Sequence, residues 1–193
     1  MEALPGNAVL LIIDFQKGFD SPKWGTRNNP QAESNMSALL GIWRQTARPV
    51  IHVRHMSTEP DSPLRPGQPG NDFKDSVAPI EGEHVEEKNV NSAFIGTGLE
   101  QYLRQNRFDT IVIVGLTTDH CVSTSTRMAG NLGFRTFVVA DATATFDRKG
   151  HDGSHYAADN VHAYALASLQ NEFASVVSTQ DILTACQLTA SAT

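Results

Sequence analysis

Three residues of this sequence carry the groups that covalent acyl transfer needs: a thiol at Cys121, a carboxylate at Asp14 and an ammonium at Lys88. Cys121 follows a β-branched apolar run at 110–114 and a polar turn, and it precedes a helix-like stretch. The positive end of a helix dipole favours a thiolate over a thiol, so this position favours a nucleophile. A nearby lysine would stabilise the thiolate, and a carboxylate would accept and return a proton. Spacing alone does not bring these residues together, so the fold must do it.

The elements that must position these residues are alternating strands and helices. Apolar runs at 8–13, 49–54, 110–114 and 136–140 are typical of strands buried on both faces, and 84–88 and 175–177 are weaker candidates. Apolar residues recur with helical spacing at 36–43 and 99–103, and an alanine-rich stretch covers 156–169. The alternation predicts an α/β fold: a three-layer α/β/α sandwich around a mainly parallel, Rossmann-like sheet of about six strands. In such sheets ligands bind at the carboxyl ends of the strands.

The length of 193 residues is enough for one hydrophobic core, and we expect a single domain over 1–193. One segment, 57–83, breaks the alternation because it holds five of the nine prolines and has no periodicity. Loops of this length in a compact domain are usually binding loops or lids, or else disordered. We therefore expect it to influence substrate specificity.

Composition excludes several classes of partner. The net charge is -6 and no long basic stripe occurs, which argues against binding to nucleic acid or to an anionic membrane. The first residues lack the basic and apolar regions of a signal peptide, so we expect a cytoplasmic protein with both cysteines reduced. The second cysteine, Cys186, is expected to pack as a small apolar residue. The expected partner is a small-molecule substrate.

Three motifs follow one another in order along the chain. The first is Asp14-Phe-Gln-Lys-Gly-Phe19 after an apolar run, and the second is Glu87-Lys88 followed by Asn91-Ser-Ala-Phe94. The third is Val114-Gly-Leu-Thr-Thr-Asp-His-Cys121. In this order and spacing the motifs resemble the isochorismatase-like cysteine hydrolases, a superfamily that includes nicotinamidases, N-carbamoylsarcosine amidases, ureidoacrylate amidohydrolases and isochorismatase. The likeness extends over about 8–182, nearly the whole chain.

The resemblance implies an Asp-Lys-Cys triad at Asp14, Lys88 and Cys121. It also implies a cis peptide between Leu116 and Thr117, with the N–H groups of Thr117 and Cys121 forming an oxyanion hole. The expected reaction is hydrolysis of a small amide, carbamoyl or ureido C–N bond through a thioester. The resemblance further implies a homo-oligomer, a dimer or larger.

Other residues near the motifs are candidates for lining the site. Gln16, Phe19 and Phe94 are predicted to bind substrate, on the resemblance. Contacts of Trp24 and Arg148 with substrate are left open. Arg127 is expected to face outward or to pair with a carboxylate.

Histidine and aspartate neighbours have alternative roles. His120 and Cys121 are adjacent, and adjacent side chains on a helical turn diverge by about 100°, so we do not expect a Cys-His dyad. Asp119 is expected to cap the following helix rather than to shape the site.

Metal ions and cofactors are not expected. Nicotinamidases of this superfamily carry an Asp-X-His metal motif near the second strand, and the corresponding His52-Val-Arg-His55 lacks it. We therefore predict structural roles for both histidines and no metal. The glycines at 96–98 and 130–133 do not match a dinucleotide-binding or Walker motif, so no cofactor is predicted.

Two other functions remain open at this point. Isochorismatase cleaves a vinyl ether and does not need the cysteine, whereas a complete triad favours amide chemistry. A catalytically silent binding or assembly protein is the third possibility, and the intact triad weighs against it.

Overall fold

A six-stranded parallel sheet forms the centre of the protein. The computed structural model describes residues 2–190. In chain order the sheet strands are β1 (Val9–Ile13), β2 (Val50–His55), β3 (His84–Lys88), β4 (Thr110–Leu116), β5 (Arg135–Ala144) and β8 (Ser175–Val177). Their spatial order is β3-β2-β1-β4-β5-β8, and every neighbouring pair is parallel. The predicted sheet is confirmed, including the two weaker strands.

Helices cover both faces of this sheet. They are α1 (Ala32–Gln45), α2 (Leu99–Gln105), α3 (Ser123–Asn131), α4 (Ala158–Ala167) and α5 (Thr179–Ala190). A short antiparallel hairpin, β6 (Arg148–Lys149) and β7 (His155–Tyr156), stands apart from the sheet. The sequence patterns did not predict this hairpin or α5.

Alternate residues of each strand enter two separate apolar clusters. On β1, Leu10 and Ile12 pack with residues of α1 and α5, whereas Val9, Leu11 and Ile13 pack with residues of α2, α3 and α4. All five side chains are fully buried. A strand that is apolar at every position therefore requires helices on both sides, which gives the three-layer sandwich.

Gly115 allows β4 to approach β1 closely just before the site. Its φ of +123° favours glycine, and a Cβ there would lie 2.0 Å from the carbonyl oxygen of Ile13. The pairing of β4 with β5 also shifts register between Ile113 and Gly115. This irregularity ends the regular ladder and directs the chain into the turn that carries Cys121.

The segment 57–83 folds over the carboxyl ends of the strands. It contains two short 3₁₀ turns, at Pro69–Asn71 and Asp75–Val77. Gln16 holds it there by donating hydrogen bonds from Nε2 to the carbonyl oxygens of His55 (3.1 Å) and Asn71 (2.8 Å). Among residues 2–190, no helix has the length and apolar character needed to cross a membrane.

Candidate active site

The predicted triad residues lie at the carboxyl ends of three different strands. Asp14 directly follows β1, and Lys88 is the last residue of β3. Cys121 lies in a π-helical turn, Thr118–Val122, between β4 and α3. Because parallel strands end at the same edge of the sheet, the topology brings residues more than 100 positions apart in the sequence into one place.

Lys88 is the centre of the cluster. Its Nζ donates to Asp14 Oδ2 at 2.5 Å and to Cys121 Sγ at 3.3 Å, and it lies 3.1 Å from Nδ1 of His55. The side chains of Lys88 and Asp14 are both 0% exposed. A buried ammonium of this kind requires a negative partner, and Asp14 supplies it.

Asp14 has an unusual backbone and an unpaired oxygen. Its φ is +50°, a left-handed conformation that aspartate adopts more readily than most residues. Oδ2 accepts from Lys88, whereas the buried Oδ1 has no hydrogen-bond partner among the described residues. A buried carboxylate oxygen without a partner is suited to accept a proton.

The thiol of Cys121 is protonated at rest. Burial raises its pKa, the negative charge of Asp14 raises it further, and Lys88 opposes both effects only in part. The position before a helix therefore does not by itself lower the pKa of Cys121 below its ordinary value. Burial also lowers the pKa of His55, aided by the adjacent Lys88 cation, so its imidazole is neutral.

The peptide between Leu116 and Thr117 is cis, as the resemblance implied. The carbonyl oxygen of Thr117 accepts hydrogen bonds from the N–H groups of His120 and Val122, both at 3.1 Å. These bonds close the π-helical turn around Cys121. The oxyanion-hole roles of Thr117 and Cys121 stay predictions.

A cavity of about 130 Å³ borders the thiol. Its walls are formed by Asp14, Phe19, Trp24, His55, Leu64, Asn91, Thr117, His120, Cys121 and Arg148. This volume is small compared with the roughly 300–1,000 Å³ of typical ligand pockets, which favours a compact substrate. The thiol also lies 3.7 Å from Oδ1 of Asn91.

The residues predicted to bind substrate divide into two groups. Phe19 lines the cavity, where its ring stacks on Phe146 at 6.1 Å and packs against Trp24 at 5.3 Å. Gln16 is fully buried and is used in holding the 57–83 loop, and Phe94 stacks on Phe134 at 6.1 Å. Neither of these two lines the cavity beside Cys121, so their substrate contacts stay predictions without support from the geometry.

Asp119 does not cap a helix, contrary to the prediction. Its carboxylate accepts hydrogen bonds from Arg148 Nε (2.7 Å), Arg148 Nη2 (3.1 Å) and Thr145 Oγ1 (2.5 Å). Burial alone would raise the pKa of Asp119, but these hydrogen bonds hold it below its ordinary value. The competing partner is a bidentate arginine, which a carboxylate prefers to a backbone N–H. Arg148 is thereby fixed in the cavity wall.

Several polar residues of the wall were missed or assigned to other roles by sequence reasoning. His55 was predicted to be structural, yet it contacts Lys88 and faces the cavity. His120 pairs with Asp119 at 3.4 Å, and its half-exposed side chain borders the cavity. Asn91 also lines the cavity. Its position three residues after Lys88, within the second motif, was the sequence feature that could have identified it as a site residue.

Three further predictions concern residues away from the cavity. Cys186 is buried in the cluster under α1 and α5, as expected of a small apolar residue. His52 is buried and bonded to Glu83 at 2.8 Å, in agreement with a structural role. Arg127 was expected to face outward or to pair with a carboxylate. It is half-buried, donates to the hydroxyl of Ser168 at 2.8 Å and lies over the ring of Phe173, and no carboxylate partner is found among the described residues.

A metal ion does not fit the donor set. Ligand atoms of Asp14, His55 and Cys121 all lie within 4.8 Å of one another, which resembles a three-ligand site. However, Lys88 Nζ contacts all three residues, so an ammonium already holds the position that a cation would share. A second positive charge there would be repelled.

Comparison with known proteins shows the family and the fold of the chain. The model of the isochorismatase domain matches residues 8–181. The isochorismatase family protein YrdC of Bacillus subtilis is 46% identical over 175 residues, covering 91% of this chain and 94% of that protein. A solved structure from Chromobacterium violaceum, assigned to the isochorismatase family, superposes with a TM-score of 0.94 at 46% identity and covers 97% of each chain.

More distant relatives include enzymes named for amide hydrolysis. Maleamate amidohydrolase of Pseudomonas putida is 28% identical over 191 residues, covering 91% of this chain and 84% of that enzyme. The match of the domain model, the close relatives and the shared fold all lead to the same assignment. The chain belongs to the isochorismatase family of hydrolases.

Proposed function

We propose that this protein hydrolyses a small amide, carbamoyl or ureido C–N bond through a thioester on Cys121, with Asp14 and Lys88 completing the triad. One observation carries the proposal: Lys88 Nζ contacts both Asp14 Oδ2 (2.5 Å) and Cys121 Sγ (3.3 Å) in a buried site. A shared ammonium stabilises a negative charge on either group, so the proton can move between them. The amidohydrolase among the relatives supports the same class of bond.

Acylation begins with transfer of the thiol proton from Cys121 to Asp14. The sulfur attacks the carbonyl carbon, a C–S bond forms, and the carbonyl electron pair moves onto oxygen. The N–H groups of Thr117 and Cys121 bind this oxyanion, and such a donor contributes about 3 kcal/mol to the transition state. Asp14 returns the proton to nitrogen as the C–N bond breaks, which releases ammonia or an amine and leaves a thioester.

Deacylation uses the same residues with water as the nucleophile. Asp14 accepts a proton from water, and the oxygen attacks the thioester carbonyl. The C–S bond breaks, sulfur leaves with its electron pair, and it recovers the proton from Asp14. The products are a carboxylic or carbamic acid and the resting enzyme.

The raised pKa of Cys121 is compatible with this cycle. The site holds one ammonium and one carboxylate at rest, so a neutral thiol avoids a second buried negative charge. When the proton moves to Asp14, the negative charge moves to sulfur and remains next to Lys88. The net charge of the site is unchanged at this step, which limits the cost of activation inside the protein.

A substrate panel with a matched cysteine control tests the proposal. Primary amides, lactams, ureido acids and isochorismate are assayed for release of ammonia, amine or product. Cys121→Ala should abolish hydrolysis and keep the fold, whereas Cys186→Ala should retain it, because Cys186 lies in the other cluster. Full activity of Cys121→Ala on an identified substrate would contradict the thioester. Cleavage of isochorismate alone, independent of Cys121, would favour the vinyl ether hydrolase.

A further inference from the structure

Two neighbouring cavities meet at Leu64. The inner one, of about 130 Å³, borders Cys121. The outer one, of about 450 Å³, lies along residues 57–64 of the long loop. Trp24, His55 and Leu64 are in the walls of both cavities. These three side chains therefore form the shared wall, or partition, between the cavity at the thiol and the larger outer one.

Leu64 is the member of this partition that contributes apolar bulk alone. Trp24 donates from Nε1 to the carbonyl oxygen of Gly18 at 2.8 Å and packs on Phe19. His55 contacts the ammonium of Lys88. The side chain of Leu64 has no polar group, so its size and shape are what it brings to the wall.

The backbone of Leu64 is held on both sides. Its carbonyl oxygen accepts from Asn71 Nδ2 at 2.7 Å and from the N–H of Ser57 at 3.2 Å, and its own N–H donates to Ser62 Oγ at 3.2 Å. Leu64 is 4% exposed and Asn71 is 5% exposed. The residue is therefore a fixed wall in this structure.

Close contacts at two neighbouring glycines show that Leu64 and the adjacent loop are tightly packed. A Cβ at Gly18 would lie 2.8 Å from Leu64 Cδ2, and also 2.8 Å from the carbonyl oxygens of Pro63 and Gly70. A Cβ at Gly70 would lie 2.2 Å from the carbonyl oxygen of Pro63. Backbone packs directly against this part of the loop, so shortening Leu64 leaves space in the wall and does not simply move the loop inward.

We propose that Leu64 sets the size limit of the substrate by confining it to the inner cavity. Substrates are then compact amides, and a smaller residue at this position joins the cavities and admits bulkier ones. The proposal deepens the proposed function and rests on it, because the substrate is the molecule that Cys121 attacks. The proposal concerns which sizes of molecule can reach the thiol, and this access can be measured without catalytic turnover.

Alkylation of Cys121 by two haloacetamides of different size provides that measurement. Sulfur displaces iodide from either iodoacetamide or N-benzyl-iodoacetamide, and mass spectrometry of the Cys121 peptide gives both rate constants at one pH. Leu64→Ala should raise the rate constant for the bulky reagent relative to that for the small one by about 10-fold or more, as expected when several carbon atoms are removed from a pocket wall. Leu103→Ala is the matched control, since Leu103 is fully buried but lines neither cavity.

An unchanged ratio in folded Leu64→Ala overturns the proposal, and so does an equal rise in Leu103→Ala, which would indicate general loosening. If Leu64→Ala does not fold, Leu64→Val removes less volume and should raise the ratio in the same direction. The two proposals can fail separately. If Leu64→Ala raises the ratio of the two rate constants but the protein hydrolyses no amide, Leu64 still limits the size of molecules that reach the thiol, and only the proposed function is refuted. With an identified substrate, kcat/KM across a series of acyl chain lengths should shift toward longer chains in Leu64→Ala.

Discussion

Replacing Asp14 by asparagine removes the negative partner of a fully buried ammonium. Asparagine has the same shape as aspartate and tolerates the left-handed φ of +50° at this position. The backbone is therefore expected to stay in place. Lys88, with a side chain that is 0% exposed, then keeps neutral polar neighbours, namely the amide at position 14, His55 and Cys121, but loses the negative charge that Asp14 supplied.

The expected loss of stability follows from this burial. Breaking a buried ion pair by removing one partner typically costs about 3–5 kcal/mol, because an uncompensated charge stays in the interior. For a chain of this length each kcal/mol lowers Tm by roughly 2–4 °C, so Asp14→Asn should lower Tm by about 6–20 °C. A pair with an exposed carboxylate and a second partner should behave differently: Asp20 is 61% exposed and lies 2.6 Å from Lys74 Nζ, which also contacts Glu33 at 3.2 Å. Asp20→Asn leaves Lys74 with a negative partner and should cost less than about 1 kcal/mol.

A double-mutant cycle with Lys88→Met measures the coupling through the free energy of unfolding in urea. The double variant should be more stable than Asp14→Asn, because it no longer contains an unpaired charge. It should remain about 1–3 kcal/mol below the wild type, since the new amide is buried without good partners. All three variants should lose hydrolytic activity, which is why stability is the measured quantity.

Two results would refute this reasoning. One is an Asp14→Asn variant within about 0.5 kcal/mol of the wild type, the range of ordinary surface substitutions. The other is a double variant no more stable than the single one. Either would mean that Lys88 does not depend on Asp14 for its charge compensation.

Three further predictions concern titration and backbone geometry. Since burial raises the pKa of Cys121, its alkylation rate should reach half of its maximum at a pH above 9.0, the pKa of an unperturbed cysteine; a midpoint at or below pH 9.0 would contradict the raised pKa. Burial would raise the pKa of Glu83, but hydrogen bonds from Arg44, the Ile80 N–H and His52 lower it from 4.5 to about 2. Glu83 therefore stabilises the fold above pH 4.5 and loses this effect as pH falls through about 2. The difference in free energy of unfolding between the wild type and Glu83→Gln, measured in urea, should shrink over that range; a difference that stays constant would contradict the lowered pKa. Gly115→Ala should lower Tm strongly or prevent folding, because its Cβ would lie 2.0 Å from the Ile13 carbonyl oxygen; a Tm within 2–4 °C of wild type, roughly 1 kcal/mol, would refute this.

Much of the fold could be predicted because its signals are local. Strands buried on both faces have apolar residues at every position, so β1 and β4 are visible as runs. The end of β5 was missed because residues 141–144 are not an apolar run; they extend the strand by pairing with the end of β4, where Leu116 lies opposite Ala144. Long-range pairing of this kind leaves no local periodicity.

The contacts of individual site residues were harder to predict than the kinds of chemical group that the site contains. Asp119 is a good capping residue by type, yet Arg148, which comes 29 positions later, binds its carboxylate instead. Leu64 has no motif and lies in a proline-rich loop, and its importance comes only from the two cavities that it separates.

The sequence by itself determined the order of the six sheet strands and the placement of a thiol, a carboxylate and an ammonium at strand ends, because these depend on residue type and short-range pattern. Only the tertiary structure decided the charge state of Cys121, the neutral His55 beside Lys88 and the partition at Leu64. The physical reason is that desolvation, ion pairing and cavity shape depend on distances between atoms of segments that are far apart in the chain.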